Sequence, residues 1–236
     1  MKRPRCAVVI PVFNHERTIA RVVQEALQLG FPVFVIDDGS TDAIAEQLKP
    51  YNDIHRLRHE INLGKGAALL TGFAEAAKVA DWAITVDADG QHRPEDALSL
   101  LAALPENGPM LVVGRRQGMS GENVPWTSRF GRKFSNFWVW VSGGPLLHDS
   151  QSGFRIYPLP EVLRLGVKAR RFQFEVEVLV KARRHGLPVI ERQVRVIYQT
   201  RGQRVSHFHP FVDFFRNFAT FSRLITQRVF RGLLGK

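Results

Sequence analysis

The sequence predicts an α/β protein with a mostly parallel, doubly wound sheet, and two observations support this prediction. Short apolar runs rich in β-branched residues alternate with longer helix-like segments in the first half of the chain: CAVVI, PVFVI, WAITV and MLVVG. Residues 7–10 and 33–36 are apolar at every position, as expected of strands that are covered on both faces. Such sheets bind ligands beyond the carboxyl ends of their strands.

The order of elements follows from the same pattern. A helix-like stretch to about residue 29 follows CAVVI, and further helix-like pieces separate the next three strands. The Gly, Ser, Asn and Pro residues of 118–126 predict a loop. Beyond it we expect a helix over 127–141, a loop containing DSQSGFR, a helix around 173–185, a strand pair in LPVIERQVRVIY and a final helix. The length favours one domain over 1–210, followed by an amphipathic helix over 211–236.

Charge is distributed unevenly along the chain. The net charge at pH 7 is +11, but residues 1–110 carry more acidic than basic side chains, and residues 111–236 carry a large basic excess. The basic half is suited to nucleic acid, an anionic membrane or a phosphorylated substrate. Cys6 is the only cysteine, which favours a reducing, cytoplasmic compartment. The chain has no apolar run of 18 residues and no signal-peptide core, so we expect no spanning helix and no export.

Polar residues follow three of the predicted strands and should meet at one edge of the sheet. The segment from Pro11 to Asn14 follows the first strand, Asp37 and Asp38 end the second, and Asp87 and Asp89 follow WAITV. On an extended backbone, residues at i and i+2 project to the same side, where two carboxylates suit Mg²⁺ or Mn²⁺ bridging to a diphosphate. The alternative is that Asp87 and Gly90 only frame a turn. Asp42 is expected to cap a helix or form a turn.

The last helix has an aromatic face interspersed with arginines. Apolar residues recur at spacings of three and four: Phe211, Phe214, Phe215, Phe218, Phe221, Ile225 and Val229. This pattern suits either the headgroup layer of an anionic membrane or packing against the sheet. The uncharged aromatic stretch over 134–147 likewise suits either the core or contact with a prenyl chain or membrane interface.

Six sequence blocks identify a family. VVIPVFNHERTI, VIDDGSTD, NLGKGAALLTGF, VDADGQHRPED, VVGRR and DSQSGFR, in this order, resemble family 2 glycosyltransferases, in particular the polyprenol-phosphate hexosyltransferases of the dolichol-phosphate mannose type. The resemblance covers residues 6 to about 200. It implies a GT-A fold, a GDP- or UDP-linked sugar donor, a divalent cation (Mg or Mn), inversion at the anomeric carbon and a lipid-phosphate acceptor at the cytoplasmic membrane face.

The resemblance also implies roles for residues on the donor side. Pro11 and Asp38 match positions that line the nucleotide, and Asp87, Asp89 and Gln91 match the metal-binding run. His15 stands where relatives often carry Glu, so the identity of the nucleotide stays open.

On the acceptor side, Arg116 matches an arginine near the donor phosphates or the acceptor. Ser152, Gly153 and Arg155 match the SGFR block beside the acceptor pocket, and Arg201 corresponds to an arginine near the rim. The stretch TRGQRVSHF replaces a more usual R-x-x-G-x-S-K, which leaves the acceptor open as well.

The acceptor decides whether the reaction needs a general base. A lipid phosphate, with a second pKa of about 6, is already largely anionic at pH 7 and needs none. Arginines would then hold it, and the candidates are Arg116, Arg129, Arg132 and Arg155.

A sugar hydroxyl acceptor would instead need a base, for which Glu175, Glu177 and Asp149 are candidates. The two glutamates lie at i and i+2 on a predicted helix, so at most one faces the site. Otherwise they would start the helix or pair with Arg170 or Arg171.

Two other enzyme classes are excluded by missing motifs. PVFNHE stands where a dinucleotide-binding protein needs G-x-G-x-x-G, and NLGKGAA lacks the residues of a P-loop. A non-enzymatic basic module that binds nucleic acid or membrane remains the alternative from another class. The acidic strand ends would repel nucleic acid in the absence of metal, so no nucleic-acid partner is expected.

Overall fold

Seven strands form one mixed sheet in the order β3-β2-β1-β4-β6-β5-β7. The structure, a computed structural model, describes residues 4–117, 126–196 and 210–233. The strands are β1 (Cys6–Val12), β2 (Val33–Asp37), β3 (Ile54–Arg58), β4 (Trp82–Thr85), β5 (Leu111–Arg116), β6 (Arg155–Pro158) and β7 (Val189–Val194). All neighbouring strands pair in parallel except β6, which runs antiparallel to β4 and β5. The expected mostly parallel sheet is confirmed.

Helices cover both faces of this sheet. They are α1 (Glu16–Leu27), α2 (Ile44–Leu48), α3 (Lys65–Ala76), α4 (Ala97–Leu101), α5 (Trp126–Val141), α6 (Glu161–Arg164), α7 (Phe174–Arg184) and α8 (Pro210–Leu233). One hydrophobic cluster includes Phe73, Tyr157 and Phe174, and the other includes Ile10 and Ile84. Alternate residues of the central strands therefore feed two separate cores, which explains why these strands are apolar at every position.

A close contact between α3 and the central strands fixes the position of this helix on the sheet. A Cβ atom at Gly72 would lie 2.5 Å from Val9 Cγ1 and 2.7 Å from Ile36 Cδ1. Only glycine therefore lets α3 lie this close to β1 and β2. The amino terminus of α3 is thereby held beside the carboxyl ends of these strands, where ligands of such sheets bind.

The observed strands depart from the sequence-based expectations in several places. The block DSQSGFR was predicted to be a loop, but its last residue, Arg155, begins β6. The described part of the predicted strand pair contains one strand, β7, and the stretch from residue 197 lies outside the described residues, so the second strand stays a prediction. β3 was not predicted, because its sequence IHRLR places one buried residue among exposed ones at the edge of the sheet.

The expected packing of the last helix on the domain is observed for one face of α8, and its membrane contact stays a prediction. Phe221 and Leu224 are buried, and the ring centroid of Phe221 lies 6.3 Å from that of Trp138 on α5. Phe218 and Val229, in contrast, are exposed. One face of α8 therefore packs on the domain and another remains at the surface. Within the part of the chain that the structure describes, no helix is long and apolar enough to cross a membrane.

Candidate functional site

A partly buried lysine joins two carboxylates beyond the end of β4. Lys65 is the first residue of α3, Asp87 follows β4, and Glu175 lies in the first turn of α7. The Lys65 Nζ atom lies 2.6 Å from Asp87 Oδ1 and 2.5 Å from Glu175 Oε1. The three side chains are 17%, 26% and 8% exposed, respectively. We call this group the Lys65 cluster; it brings together three segments that are far apart in the sequence.

The charges of the Lys65 cluster support one another. Burial alone would lower the pKa of Lys65, but the carboxylates of Asp87 and Glu175 outweigh this effect, and the pKa is raised. Burial alone would raise the pKa of Asp87, but the ammonium group of Lys65 outweighs it, and the pKa is lowered. Lys65 and Asp87 are therefore both charged at neutral pH. The two carboxylates of the cluster outnumber its one ammonium group, and Asp89 follows Asp87 by two residues, so the site has an excess of negative charge.

Glycines allow the segments around Asp87 to approach one another. A Cβ atom at Gly153 would lie 2.5 Å from Lys65 Nζ and 2.6 Å from Asp87 Oδ2. A Cβ atom at Gly66 would lie 2.6 Å from the Cβ atom of Phe174 in α7. The glycines of the NLGKG and SGFR blocks thus have a direct steric reason.

Asp87 and Asp89 do not lie on an extended backbone. β4 ends at Thr85, and the chain turns through the next residues to Gly90, whose φ is +69°. The Asp89 Oδ1 atom accepts a hydrogen bond from the backbone N–H of Gln91 at 3.0 Å. The expectation that Asp87 and Asp89 project to the same side of an extended strand was therefore wrong. The backbone of this segment is the turn that the sequence offered as the alternative. Among the described residues, no group of three or more His, Cys, Asp or Glu is arranged to hold a metal ion.

Asp38 organises the loop that leads to Lys65. Its Oδ1 atom accepts a hydrogen bond from Leu63 N–H at 3.0 Å and lies 2.7 Å from His59 Nδ1. Its Oδ2 atom accepts a hydrogen bond from Gly64 N–H at 2.7 Å. Both oxygens of this buried carboxylate thus contact protein groups. Pro11 is buried within β1.

Asp42 does not cap α2, the helix that follows it, but accepts a hydrogen bond from the start of α1 instead. Its Oδ2 atom accepts a hydrogen bond from the N–H of Glu16, the first residue of α1, at 2.9 Å. The Glu16 carboxylate in turn accepts a hydrogen bond from Ala43 N–H at 2.8 Å. These bonds satisfy backbone donors at the start of two helices.

Arg116 forms a two-pronged ion pair with Asp149. Its Nε and Nη2 atoms donate hydrogen bonds to the two carboxylate oxygens, each at 2.8 Å, and its backbone N–H donates a third at 3.2 Å. Burial would raise the pKa of Asp149, but Arg116 outweighs this effect and lowers it; Arg132 adds to the lowering. A carboxylate held in this way is a poor proton acceptor, so Asp149 does not suit the role of a general base.

Arg155 is directed into the protein. Its side chain is fully buried, and it donates hydrogen bonds to the carbonyl oxygens of Ser150 at 2.8 Å, Ser152 at 2.6 Å and Glu175 at 2.9 Å. The expectation that this guanidinium holds a phosphate does not fit this placement. It instead ties the buried SGFR segment to the start of α7.

The remaining acceptor candidates are only partly described. Arg132 lies half-buried on α5. Arg129 belongs to the same helix, but its side chain is outside the described residues, as is Arg201.

Glu175 and Glu177 point in different directions, as predicted. Glu175 belongs to the Lys65 cluster, whereas the Glu177 Oε2 atom accepts hydrogen bonds from Ala169 N–H at 2.8 Å and from Arg223 of α8 at 2.7 Å. Both glutamates lie in the first turn of α7, as one of the two expectations for them stated, and their hydrogen-bond partners include Lys65, Ala169 and Arg223 rather than Arg170 or Arg171. Only Glu175 faces the candidate site.

His92 lies near the site without contributing charge at neutral pH. Its ring stacks on that of Phe154, with centroids 5.1 Å apart and planes inclined by 10°. Burial lowers the pKa of His92 to about 4. The neutral imidazole therefore does not offset the negative charge around Asp87.

The comparison with known families settles what kind of protein has this site. Residues 7–160 match the model for Glycosyl transferase family 2. The chain belongs to this family. This match confirms the resemblance that the six sequence blocks indicated.

Two curated relatives match most of this glycosyltransferase. A UDP-N-acetylglucosamine–dolichyl-phosphate N-acetylglucosaminyltransferase of Methanococcus voltae is 30% identical over 213 residues, which cover 81% of this chain and 85% of the relative. A polyprenol monophosphomannose synthase of Mycolicibacterium smegmatis is 28% identical over 207 residues, which cover 79% of this chain and 75% of the relative.

A solved structure shares the fold. Glucosyl-3-phosphoglycerate synthase of Mycobacterium tuberculosis, crystallised with Mn²⁺, uridine diphosphate and phosphoglyceric acid, superposes with a TM-score of 0.70 at 20% identity. The match covers 96% of this chain and 78% of that chain. The fold is therefore of the GT-A type, as the sequence blocks implied.

Sequence reasoning missed the central residue of the site. NLGKGAA was recognised as a block, but Lys65 was not singled out. The sequence signal that could have identified Lys65 is its position between two glycines at the start of a helix. Such a pattern indicates close approach of other backbone segments.

Proposed function

We propose that this glycosyltransferase transfers a hexose from a GDP- or UDP-linked donor to a lipid-linked acceptor, polyprenyl phosphate. The observation that carries this proposal is the Lys65 cluster, which joins the NLGKG and VDADG segments to the start of α7 beyond the carboxyl end of β4. Two relatives that match most of the chain are named for transfer to dolichyl phosphate and for polyprenol monophosphomannose synthesis.

We propose that Asp87 and Asp89 hold a divalent cation, Mg²⁺ or Mn²⁺, with Gln91 beside them. The negative charge left over after pairing with Lys65 suits a dication, and Gly153 leaves room beside Asp87 Oδ2 that any side chain would fill. Such ions need only one or two carboxylates when substrate phosphates complete the coordination. The structural relative was crystallised with Mn²⁺ and uridine diphosphate together. The bound cation would neutralise charge on the departing nucleoside diphosphate.

The positions of the candidate bases favour a phosphate acceptor over a hydroxyl. Asp149 is held by Arg116, Glu175 by Lys65, and Glu177 by groups on the far side of α7. A hydroxyl acceptor would need one of them to take a proton, whereas a lipid phosphate is already ionised at pH 7.

The proposed reaction is a single displacement with inversion. An oxygen of the acceptor phosphate attacks the anomeric carbon, the bond from that carbon to the donor diphosphate breaks, and no proton transfer is required. Arg116 and Arg132 both lie close enough to Asp149 to lower its pKa. They are our candidates for orienting the donor diphosphate and the acceptor phosphate. The ion pair with Asp149 holds the Arg116 guanidinium in a fixed position for this role. Arg129 and Arg201 remain candidates from the sequence.

We propose that α5 and α8 form a surface for an anionic membrane. Phe130, Phe137 and Trp140 are exposed at helical spacing on α5, and Phe218 and Phe230 are exposed on α8, which packs against it. Arginines accompany these aromatics along α8. Exposed aromatic rings with basic side chains suit the headgroup layer, where a polyprenyl acceptor lies. The buried Cys6 forms no disulfide, which is compatible with the cytoplasmic face.

The test is transfer from UDP-, GDP- and dTDP-sugars to polyprenyl phosphate with Mn²⁺. We expect one donor to be used and Asp89→Asn to abolish transfer while the far-ultraviolet circular dichroism spectrum is retained. Asp81→Asn, at the opposite end of β4 and exposed, is the matched control and should keep wild-type turnover. Near-normal turnover of Asp89→Asn would refute the cation role, and transfer only to a hydroxyl acceptor would refute the phosphate acceptor.

A further inference from the structure

We propose that Lys65 competes with the divalent cation for Asp87, and that Glu175 tunes this competition by holding the same ammonium group. The inference deepens the proposed function and rests on its cation site. It assigns Lys65 and Glu175 a positioning role, because neither needs to touch the reacting atoms.

The geometry shows how the competition arises. The Lys65 Nζ atom lies 2.6 Å from Asp87 Oδ1, so it occupies one of the oxygens that a cation at Asp87 would use. Glu175 Oε1 lies on the same ammonium group at 2.5 Å. The backbone of Gly153 encloses this group, since a Cβ atom there would lie 2.5 Å from Nζ. Glu175 and the close backbone of Gly153 therefore hold Lys65 beside Asp87.

Charge determines the direction of each effect. In the wild-type cluster, one positive and two negative side chains leave one negative charge next to the cation site. Removing the ammonium group doubles that negative charge and frees an oxygen of Asp87, so the cation should bind more tightly. Removing the charge of Glu175 leaves Lys65 with Asp87 as its only carboxylate partner in the cluster and reduces the negative charge, so the cation should bind less tightly. We expect both effects to be strong because the three side chains are largely removed from water, where charges interact more strongly.

A structural role alone predicts a different outcome. If the cluster only held α3 and α7 together, loss of either partner would loosen Asp87, and both variants would bind the cation less tightly. Opposite directions therefore distinguish competition from structural damage. The double variant, which restores the original charge, should return toward the wild type.

The experiment measures Mn²⁺ binding rather than turnover. Free Mn²⁺ is titrated by electron paramagnetic resonance against the full chain in the presence of UDP or GDP, with a protein-free titration of the same nucleotide subtracted. We expect the Mn²⁺ dissociation constant to fall about tenfold or more for Lys65→Met and to rise by a similar factor for Glu175→Gln. Lys65→Arg keeps the charge and should stay within about threefold of the wild type. If Lys65→Met does not fold, Lys65→Gln provides the neutral side chain.

Each outcome is decisive. If both neutralising variants weaken Mn²⁺ binding, or if neither changes it, the competition is refuted while the cation site stands. If the wild-type protein itself binds no Mn²⁺ with either nucleotide, the proposed cation site fails, and the inference fails with it.

Discussion

Replacement of Arg116 by methionine should destabilise the fold through the carboxylate that it leaves behind. Asp149 is fully buried, and two of its contacts come from the Arg116 guanidinium, each at 2.8 Å. Methionine has a similar length but no charge, so the variant would bury a carboxylate without its counterion. The backbone N–H of residue 116, at 3.2 Å, would remain to donate to it.

The expected loss follows from what a broken buried ion pair costs. Removal of one partner typically destabilises a protein by about 3–5 kcal/mol. The Arg116 side chain is 19% exposed, which admits some water to the vacated space, so we expect the lower end, about 3 kcal/mol at pH 7. Arg116→Met with Asp149→Asn removes the buried charge as well and should recover about 1–2 kcal/mol of this loss.

The pH dependence of the contribution of Asp149 to the free energy of unfolding should change sign in the Arg116→Met variant. In the wild type the pKa of Asp149 is lowered, so its contribution is complete above the unfolded pKa of about 3.9 and is lost as the pH falls through the lower folded pKa. Without Arg116, burial dominates and raises the folded pKa above the unfolded one. The variant's native state then binds the proton more tightly, so its deficit should shrink as the pH falls from 7 toward 5.

Urea unfolding followed by circular dichroism at pH 7 and pH 5 measures both quantities. The urea concentration at the unfolding midpoint should fall, while the dependence of the unfolding free energy on urea concentration stays constant, because the same surface is exposed on unfolding. A loss below about 1 kcal/mol at pH 7, or an equal loss at both pH values, would refute the view that Arg116 compensates a buried charge.

Two further predictions concern the site and the surface. Gly153→Ala should reduce transfer at least tenfold at a stability cost of about 1–3 kcal/mol, because its Cβ atom would displace Lys65 from Asp87; Gly131→Ala, which meets open space, is the control. Full activity of the alanine variant would contradict the steric role of the SGFR glycine. Replacing both Phe218 and Phe230 by serine should weaken binding to phosphatidylglycerol vesicles by roughly tenfold in a sedimentation assay, since exposed rings partition into the headgroup layer. Equal binding by the wild type and this double variant would rule out the proposed membrane surface.

The central part of the fold could be predicted because its strands are buried on both faces. β1, β2 and β4 are apolar at nearly every position, and only a sheet covered on two sides requires that pattern. β3 and β6 could not be found in this way. β3 is an edge strand with one buried residue, and β6 begins with Arg155, a buried charge that is tolerated because three carbonyl oxygens, one of them on α7, accept its hydrogen bonds.

The sequence by itself determined the family, the parallel sheet and the presence of Asp87 and Asp89 after a central strand, because ordered motifs and apolar runs are local properties of the chain. Only the tertiary structure decided which charges meet. Lys65 and Glu175 are separated by 110 residues yet share one hydrogen bond, and Arg155 lies inside the protein rather than at a phosphate. Contacts between distant residues depend on how helices pack on the sheet, and a strand-by-strand pattern holds no information about that packing.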